Sequence, residues 1–402
     1  MIYTSDYLRT EFLGITLENP FILSAAPSTD ELSITRRGLQ AGWAGVVLKT
    51  TSHEKMEVRL TYPMMSAFYD DGRLSGMGNI DLISAYHINE ICERVSVLKK
   101  EFPNKMIAAS MMSDSKEGWQ STAKALVGSG VDLIECSFSC PQGSAGEDPG
   151  KMLAQNAEAT QTAASWVKET TGDIPVLIKI TPMVTDIVAI AKAVKNSGAD
   201  GLTASNSIPA LMGVDIETLT PVPSLDGYST YSGLTGSAIK PVTLRTVAEI
   251  SKGVPGFPIS GNGGIGNWKD AVEILAVGAS NVQICTAVML EGFGIIEDLC
   301  SGLENYIMRK KLSNVSTLVG KALDRITEHS ALPLKNPKSR INQETCINCG
   351  KCFISCRDGG HEAIEWNRER RLPQVNLENC VGCALCKLVC PVIDCIAIDE
   401  YQ

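Results

Sequence analysis

The chain has 402 residues, 44% of them apolar, and a net charge of −9. That length suits one large domain with an appendage, and the apolar content suffices for a sizeable core. The acidic balance argues against a nucleic-acid partner, and no apolar run reaches the ~18 residues of a membrane span.

Through the first three quarters of the chain, short apolar runs alternate with helical stretches. Strands are predicted over 21–27, 45–50, 105–112, 133–139, 175–180, 201–207, 257–264 and 281–288. Most are near-continuously apolar, as parallel strands covered on both faces should be. Helices are predicted between them, over 156–168, 184–196 and 268–276 among others. In 184–196 the spacing puts Ile187, Ile190 and Val194 on one face. A weak repeat, with Gly42, Gly130, Gly198 and Gly278 each between a helix end and the next strand, fits left-handed glycine C-caps. Eight β–α units imply an α/β fold, a (β/α)8 TIM barrel, whose chemistry gathers at the C-terminal strand ends. A doubly wound sheet is the alternative. Two connections, 51–104 and 208–235, are far longer than the usual few residues and are expected to cover a substrate.

The tail reads differently. Cys346, Cys349, Cys352 and Cys356, then Cys380, Cys383, Cys386 and Cys390 before Pro391, repeat the pattern C-x2-C-x2-C-x3-C. In this bacterial ferredoxin run the fourth Cys ligates the other cluster. One 4Fe-4S cluster is therefore assigned to Cys346, Cys349, Cys352 and Cys390, the second to Cys380, Cys383, Cys386 and Cys356. Zinc needs only two pairs, and a secreted disulfide scaffold conflicts with the absence of a signal peptide. Clusters and free thiols together imply a reducing cytoplasm. Residues 1–329 are thus read as the barrel, 330–343 as a linker and 344–402 as a ferredoxin-like domain with two clusters. Residues 357–374 are read as an insertion between the Cys runs.

The predicted strand ends carry Lys49 and Thr50, Ser139 and Cys140, Lys179, Asn206 and Ser207, the 260–266 loop, and Cys285 and Thr286. The loops after strands seven and eight form the phosphate cradle of such barrels. Gly263 and Gly264 let amides approach a phosphate, and Thr286 offers a hydroxyl. Residues 261–266 match G-x-G-x-x-G, but late in the chain and without an acidic residue at the end of the next strand, so a Rossmann site is rejected. A flavin mononucleotide (FMN) fits better, since it couples one-electron clusters to hydride chemistry. Cys140, at a strand end before a Gly- and Pro-containing loop, is the candidate general acid. His53, His87, His329 and His361 all lie away from strand ends. Cys92, Cys136 and Cys300 read as small core residues, and Cys395 is given no ligand role.

These residues resemble a known family. The stretches 19–27, 47–50, 78–84, 139–141, 179–182, 203–207, 232–241 and 263–265, with both Cys runs, are similar to the pyrimidine-reducing subunit of bacterial NAD-dependent dihydropyrimidine dehydrogenases. They are more distantly similar to class 1 dihydroorotate dehydrogenases. The resemblance implies a flavin-binding barrel joined to a two-cluster ferredoxin domain. It implies that Lys49 contacts the flavin and that Lys179 lies by its N1–C2 carbonyl. Ala26, Thr50, Ser205, Gly236 and Cys285 complete the implied cofactor set. Asn79, Asp81, Ile83, Asn206 and Ser207 are implied to line the pyrimidine site, and Cys140 to protonate C5 while hydride reaches C6. Ser137 stands where the family has Asn. Asp81 and Ser207 replace Glu and Thr. The implied reaction is reduction of uracil or thymine to the 5,6-dihydropyrimidine. A separate FAD- and NAD(P)H-binding subunit would supply electrons, in a heterotetramer or around a homodimer of this chain. Alternatives are another unsaturated cyclic substrate, a dihydroorotate dehydrogenase-like activity, and an electron-transfer module without catalysis.

Overall fold

The computed structural model describes residues 5–53, 62–139 and 152–400. The chain divides into two compact units, Met1–Arg325 and Ile326–Gln402. Among the described residues no helix is long and apolar enough to cross a membrane.

The first unit is a closed barrel of eight parallel strands: β1 (Phe21–Leu23), β2 (Gly45–Thr51), β3 (Met106–Met111), β4 (Leu133–Ser137), β5 (Val176–Ile180), β6 (Gly201–Ala204), β7 (Ile259–Asn262) and β8 (Asn281–Ile284). Each strand pairs with the next in sequence, and β8 closes on β1. The doubly wound alternative is thereby excluded.

Several strands end earlier than the apolar runs. Expected strand 21–27 leaves the ladder after Leu23, 133–139 after Ser137, 201–207 after Ala204 and 281–288 after Ile284. The trimmed residues stay largely buried, so composition continues where hydrogen-bonded pairing stops. The backbone turns there into the mouth of the barrel.

The outer faces of the strands pack on the helices. The helix Ile187–Asn196 buries Ile187, Ile190, Ala191 and Val194 along one stripe. Its N-cap Asp186 accepts a hydrogen bond from the Ala189 amide, and Asn156 and Asn267 cap the helices that follow them in the same way. Gly42, Gly130, Gly198 and Gly278 all have positive φ, as the repeat predicts.

The N-terminal hairpin, Thr10–Phe12 with Ile15–Leu17, has no counterpart in the predicted elements. Phe12 and Leu17 are fully buried against the inward residues Ile22, Val47, Ala108, Leu133 and Leu177. The hairpin thus stoppers the end of the barrel away from the strand C-termini.

The two long connections are structured together. Met65–Asp70 and Arg73–Asn79 from the first, and Ile208–Ala210 and Ser232–Thr235 from the second, form one four-stranded antiparallel sheet.

The second unit contains β9 (Pro337–Ile341), β10 (Ile364–Asn367), β11 (Leu372–Val375) and β12 (Ile396–Glu400). They pair antiparallel as β9–β12 and β10–β11. Strand β9 falls inside the stretch 330–343 that reads as a linker. From Pro337 onward that stretch is bonded into a sheet, a partly buried strand with Arg340 exposed and Ser339 buried. Most of the expected insertion 357–374 is likewise ordered, as the end of the helix Lys351–Gly359 and the β10–β11 hairpin.

Candidate active site

A cavity of about 1000 Å³ opens at the C-terminal ends of the barrel strands. This is the upper range of small-molecule sites and leaves room for a cofactor beside a substrate. Lys49 and Thr50 enter it from β2, Ser137 from β4 with Ser139 just beyond it, and Lys179 from β5. Ser205, Asn206 and Ser207 follow β6. Gly263 and Gly264 follow β7, and Cys285 and Thr286 follow β8. Ala26 lies beyond β1, and Asn79, Asp81 and Gly236 come from the covering segments. Ile83 is fully buried but does not line the cavity. Cys140 lies outside the described residues.

Two buried charge pairs organise the cavity. Lys49 Nζ is 2.7 Å from Asp81, a residue the resemblance assigned to substrate, and 4.0 Å from Asp30. Burial pushes the Asp30 carboxyl above its ordinary value, opposed by the hydrogen bond from Ser84 at 2.6 Å and by the Lys49 and Arg94 charges. Nothing in the local sequence marks Asp30, which sits in a turn 19 residues before its lysine.

Deeper in, Lys179 Nζ lies 3.5 Å from Glu135 Oε1 and 3.3 Å from Ser24 Oγ. The other Glu135 oxygen accepts from Thr203 at 2.7 Å and from Gln283 at 2.9 Å. Glu135, Thr203 and Gln283 come from β4, β6 and β8, the alternate-strand layering of such barrels, here made polar. Sequence reasoning passed over Glu135. The available signal was a carboxylate inside an apolar strand, two residues before Ser137 and so on the same inward face. Glu135 Oε1 and Gln283 Oε1 are buried without hydrogen-bond partners. Since such atoms are costly to leave unpaired, the Gln283 oxygen, on a cavity-lining residue, suits a polar ligand.

The 260–266 loop forms a cradle. Gly263 and Gly264 have φ of +118° and +78°, and a Cβ on Gly264 would lie 2.5 Å from the Lys240 backbone. Only glycine fits, and the loop backbone is left open to a bulky anion. Asn206 Nδ2 donates to Ser139 at 2.7 Å, and its Oδ1 accepts the Ser207 amide at 2.8 Å. Thus Asn206 is held in one orientation.

Burial pushes the Cys285 thiol up, with Lys179 pulling the other way. Cys136 and Cys300 are fully buried and raised by burial, Cys300 to about 12, which leaves them inert core thiols.

In the second unit the thiols gather in two rings. Cys346, Cys349, Cys352 and Cys390 line one cavity, and Cys356, Cys380, Cys383 and Cys386 line another. Cys395, set aside in the sequence, is buried against the first ring and donates to the Asn342 carbonyl at 3.6 Å. Among the described residues no three His, Cys, Asp or Glu side chains close around a point as a single ion would need.

Comparison with known proteins gives matches to both units. The family model "Dihydroorotate dehydrogenase" matches residues 7–307, and "4Fe-4S dicluster domain" matches 339–398. The chain is 35% identical to the Escherichia coli NAD-dependent dihydropyrimidine dehydrogenase subunit PreA over 401 residues, 98% of this chain and 96% of that protein. It is 30% identical to the chloroplastic dihydropyrimidine dehydrogenase (NADP(+)) of Arabidopsis thaliana, covering 82% of this chain and 80% of that one. It is 35% identical to the catalytic subunit of dihydroorotate dehydrogenase B (NAD(+)) of Methanothermobacter thermautotrophicus, over 79% of this chain and 99% of that one.

Proposed function

This chain belongs to the dihydroorotate dehydrogenase family and within it to the dihydropyrimidine dehydrogenases, oxidoreductases of CH–CH bonds, and from that premise we propose that it reduces the C5=C6 bond of uracil or thymine. The observation that carries this reading is the convergence of the glycine cradle, Lys179, Asn79, Asn206 and Ser207 on one cavity, in a chain that also carries a 4Fe-4S domain.

The residues fit an FMN. Gly263, Gly264, Gly236 and Thr286 would hold its phosphate, with Ala26, Thr50, Ser205 and Cys285 around the rest. Lys49, Lys179 and the free Gln283 oxygen would face its ring system. Bound there, the flavin supplies hydride for C6 of the pyrimidine and exchanges single electrons with iron–sulfur clusters. Lys179, paired with Glu135 at 3.5 Å, favours negative charge at the ring edge beside it. Asn79, Asn206 and Ser207 offer amide and hydroxyl groups to the pyrimidine's polar edges. Asp81, its charge balanced by Lys49, accepts a ring N–H. Cys140 gives its thiol proton to C5 as hydride arrives at C6, so that one hydride and one proton saturate the bond.

Two 4Fe-4S clusters would occupy the thiol rings of the second unit. No NAD(P)H site is read in this chain, so an FAD-bearing NAD(P)H-oxidising subunit would feed the clusters, in a heteromer within a reducing cytoplasm. In the domain plan the barrel ends near Arg325, and the ferredoxin domain includes β9 and so begins before the expected residue 344.

One observation favours a second reading. Ser137 lines the cavity where the family has Asn, and a hydroxyl cannot offer an amide's donor and acceptor together. Another unsaturated cyclic substrate, orotate-like or otherwise, would follow. The test is anaerobic: the reduced holoprotein is mixed with uracil, thymine or orotate, and flavin absorbance is followed. Rapid reoxidation by uracil or thymine supports the proposal. Reoxidation only by another ring, with pyrimidine activity gained in Ser137→Asn, would sink it.

A further inference from the structure

The two Cys runs are copies 34 residues apart, Cys346 answering to Cys380 and Cys356 to Cys390. The same interval carries Ser339 in β9 onto Pro373 in β11, each seven residues before its run. In the structure each lines the thiol ring of the opposite run: Ser339 lines the cavity of Cys380, Cys383, Cys386 and Cys356, and Pro373 that of Cys346, Cys349, Cys352 and Cys390. One position beside each ring is therefore serine in one half and proline in the other.

The chemistry of the two differs sharply. The Ser339 amide donates to Cys380 Sγ at 3.4 Å, and its hydroxyl lies 3.2 Å from Cys386 Sγ. A ligating thiolate has no proton, so in that bond the hydroxyl is the donor. Pro373 has neither an amide hydrogen nor a hydroxyl. Lys338, whose ammonium donates to the Cys380 carbonyl at 2.5 Å, has the uncharged Leu372 as its counterpart.

Reduction adds negative charge to a cluster, so donors on its sulfurs and a nearby cation make reduction easier. With each ring read as holding a 4Fe-4S cluster, we propose that the cluster of Cys380, Cys383, Cys386 and Cys356 has the higher reduction potential of the two, and that Ser339 sets the difference. Water acts the other way, because Cys346 and Cys390 are half-buried while Cys356, Cys380 and Cys386 are buried. Ser339 itself is 5% exposed. Its two bonds act at contact distance in a low-dielectric interior, where each is strengthened, and they outweigh partial exposure. At equilibrium a single electron in the unit rests on this second cluster.

The test is an anaerobic redox titration of the holoprotein followed by electron paramagnetic resonance, for the wild type, Ser339→Ala and Pro373→Ser. Two distinct midpoints are expected. Ser339→Ala moves the more positive one downward and leaves the other in place, and Pro373→Ser moves the more negative one upward. Coincident midpoints in the wild type, or a Ser339→Ala variant that shifts neither midpoint or only the lower one, overturn the proposal. Iron content separates this from the reading beneath it. A wild-type chain with well under about eight irons would overturn the two-cluster reading itself.

Discussion

In Met1–Arg325 the polar side chains of the cavity are seated on a continuous aliphatic core. Among the described residues of Ile326–Gln402, five of the eight buried apolar core residues are cysteines, the others being Ala363, Ile364 and Ile396. The barrel site is held by charge pairs between residues far apart in sequence, Lys179 with Glu135 and Lys49 with Asp81. Each thiol ring draws on three residues spaced three apart in sequence, plus one that crosses from the other run. The barrel therefore has the apolar burial to shape its cavity before any ligand arrives, at about 25 cal/mol per Å² removed from water. The small unit has little core besides its thiols, and bound clusters would supply much of its folding free energy, as structural metals do in other small domains.

The largest effect should come from challenging that contrast directly. Stripping iron with a chelator under reducing conditions should abolish the unfolding transition of the second unit and leave that of the barrel, as followed by calorimetry. A small unit that melts unchanged without iron would break the comparison.

Next in size is a change confined to the barrel chemistry. Cys140→Ala should slow substrate-dependent flavin reoxidation by roughly 10²–10⁴-fold with iron and flavin contents unchanged, the usual contribution of a positioned acid. An undiminished rate would remove Cys140 from the reaction.

Glu135→Ala sharpens the comparison from the stability side. It leaves the buried Lys179 ammonium without its carboxylate, and the barrel should lose about 3–5 kcal/mol, read from denaturant midpoints. The transition of the second unit should not move. A loss below about 1 kcal/mol would mean that Lys179 finds another partner or sheds its proton.

The smallest effect concerns pH. The folded-state pKa of Asp30 is raised by burial. The folded state therefore holds that proton more tightly than the unfolded state, and the carboxyl costs stability as pH rises from the unfolded carboxylate range through the folded pKa. The stability of Asp30→Asn relative to wild type should grow between about pH 4 and neutrality. A difference that is flat or shrinks over that window would show that the Ser84, Lys49 and Arg94 contacts dominate instead.

Much of this molecule was legible in its sequence by itself. The eight apolar runs and the glycines at helix ends specify parallel strands buried on both faces, because that burial leaves no polar face to alternate. The Cys spacing specifies two rings, because loops of two residues wrap three thiols of a run around one object and the fourth thiol, after a loop of three, is left for the other ring. The tertiary structure decided the rest. Phe12 and Leu17 fall outside every predicted element, and only the barrel offers them an opening to fill. The two long connections show no common signal, since pairing of Arg73–Asn79 with Ser232–Thr235 joins segments over 150 residues apart. Glu135 and Asp30 are single carboxylates whose partners lie on other elements of the fold, and Ser339 differs from Pro373 in consequence only because each faces the opposite run. In each case the local sequence states which group is present, while its free energy depends on what the fold places within 3 or 4 Å of it.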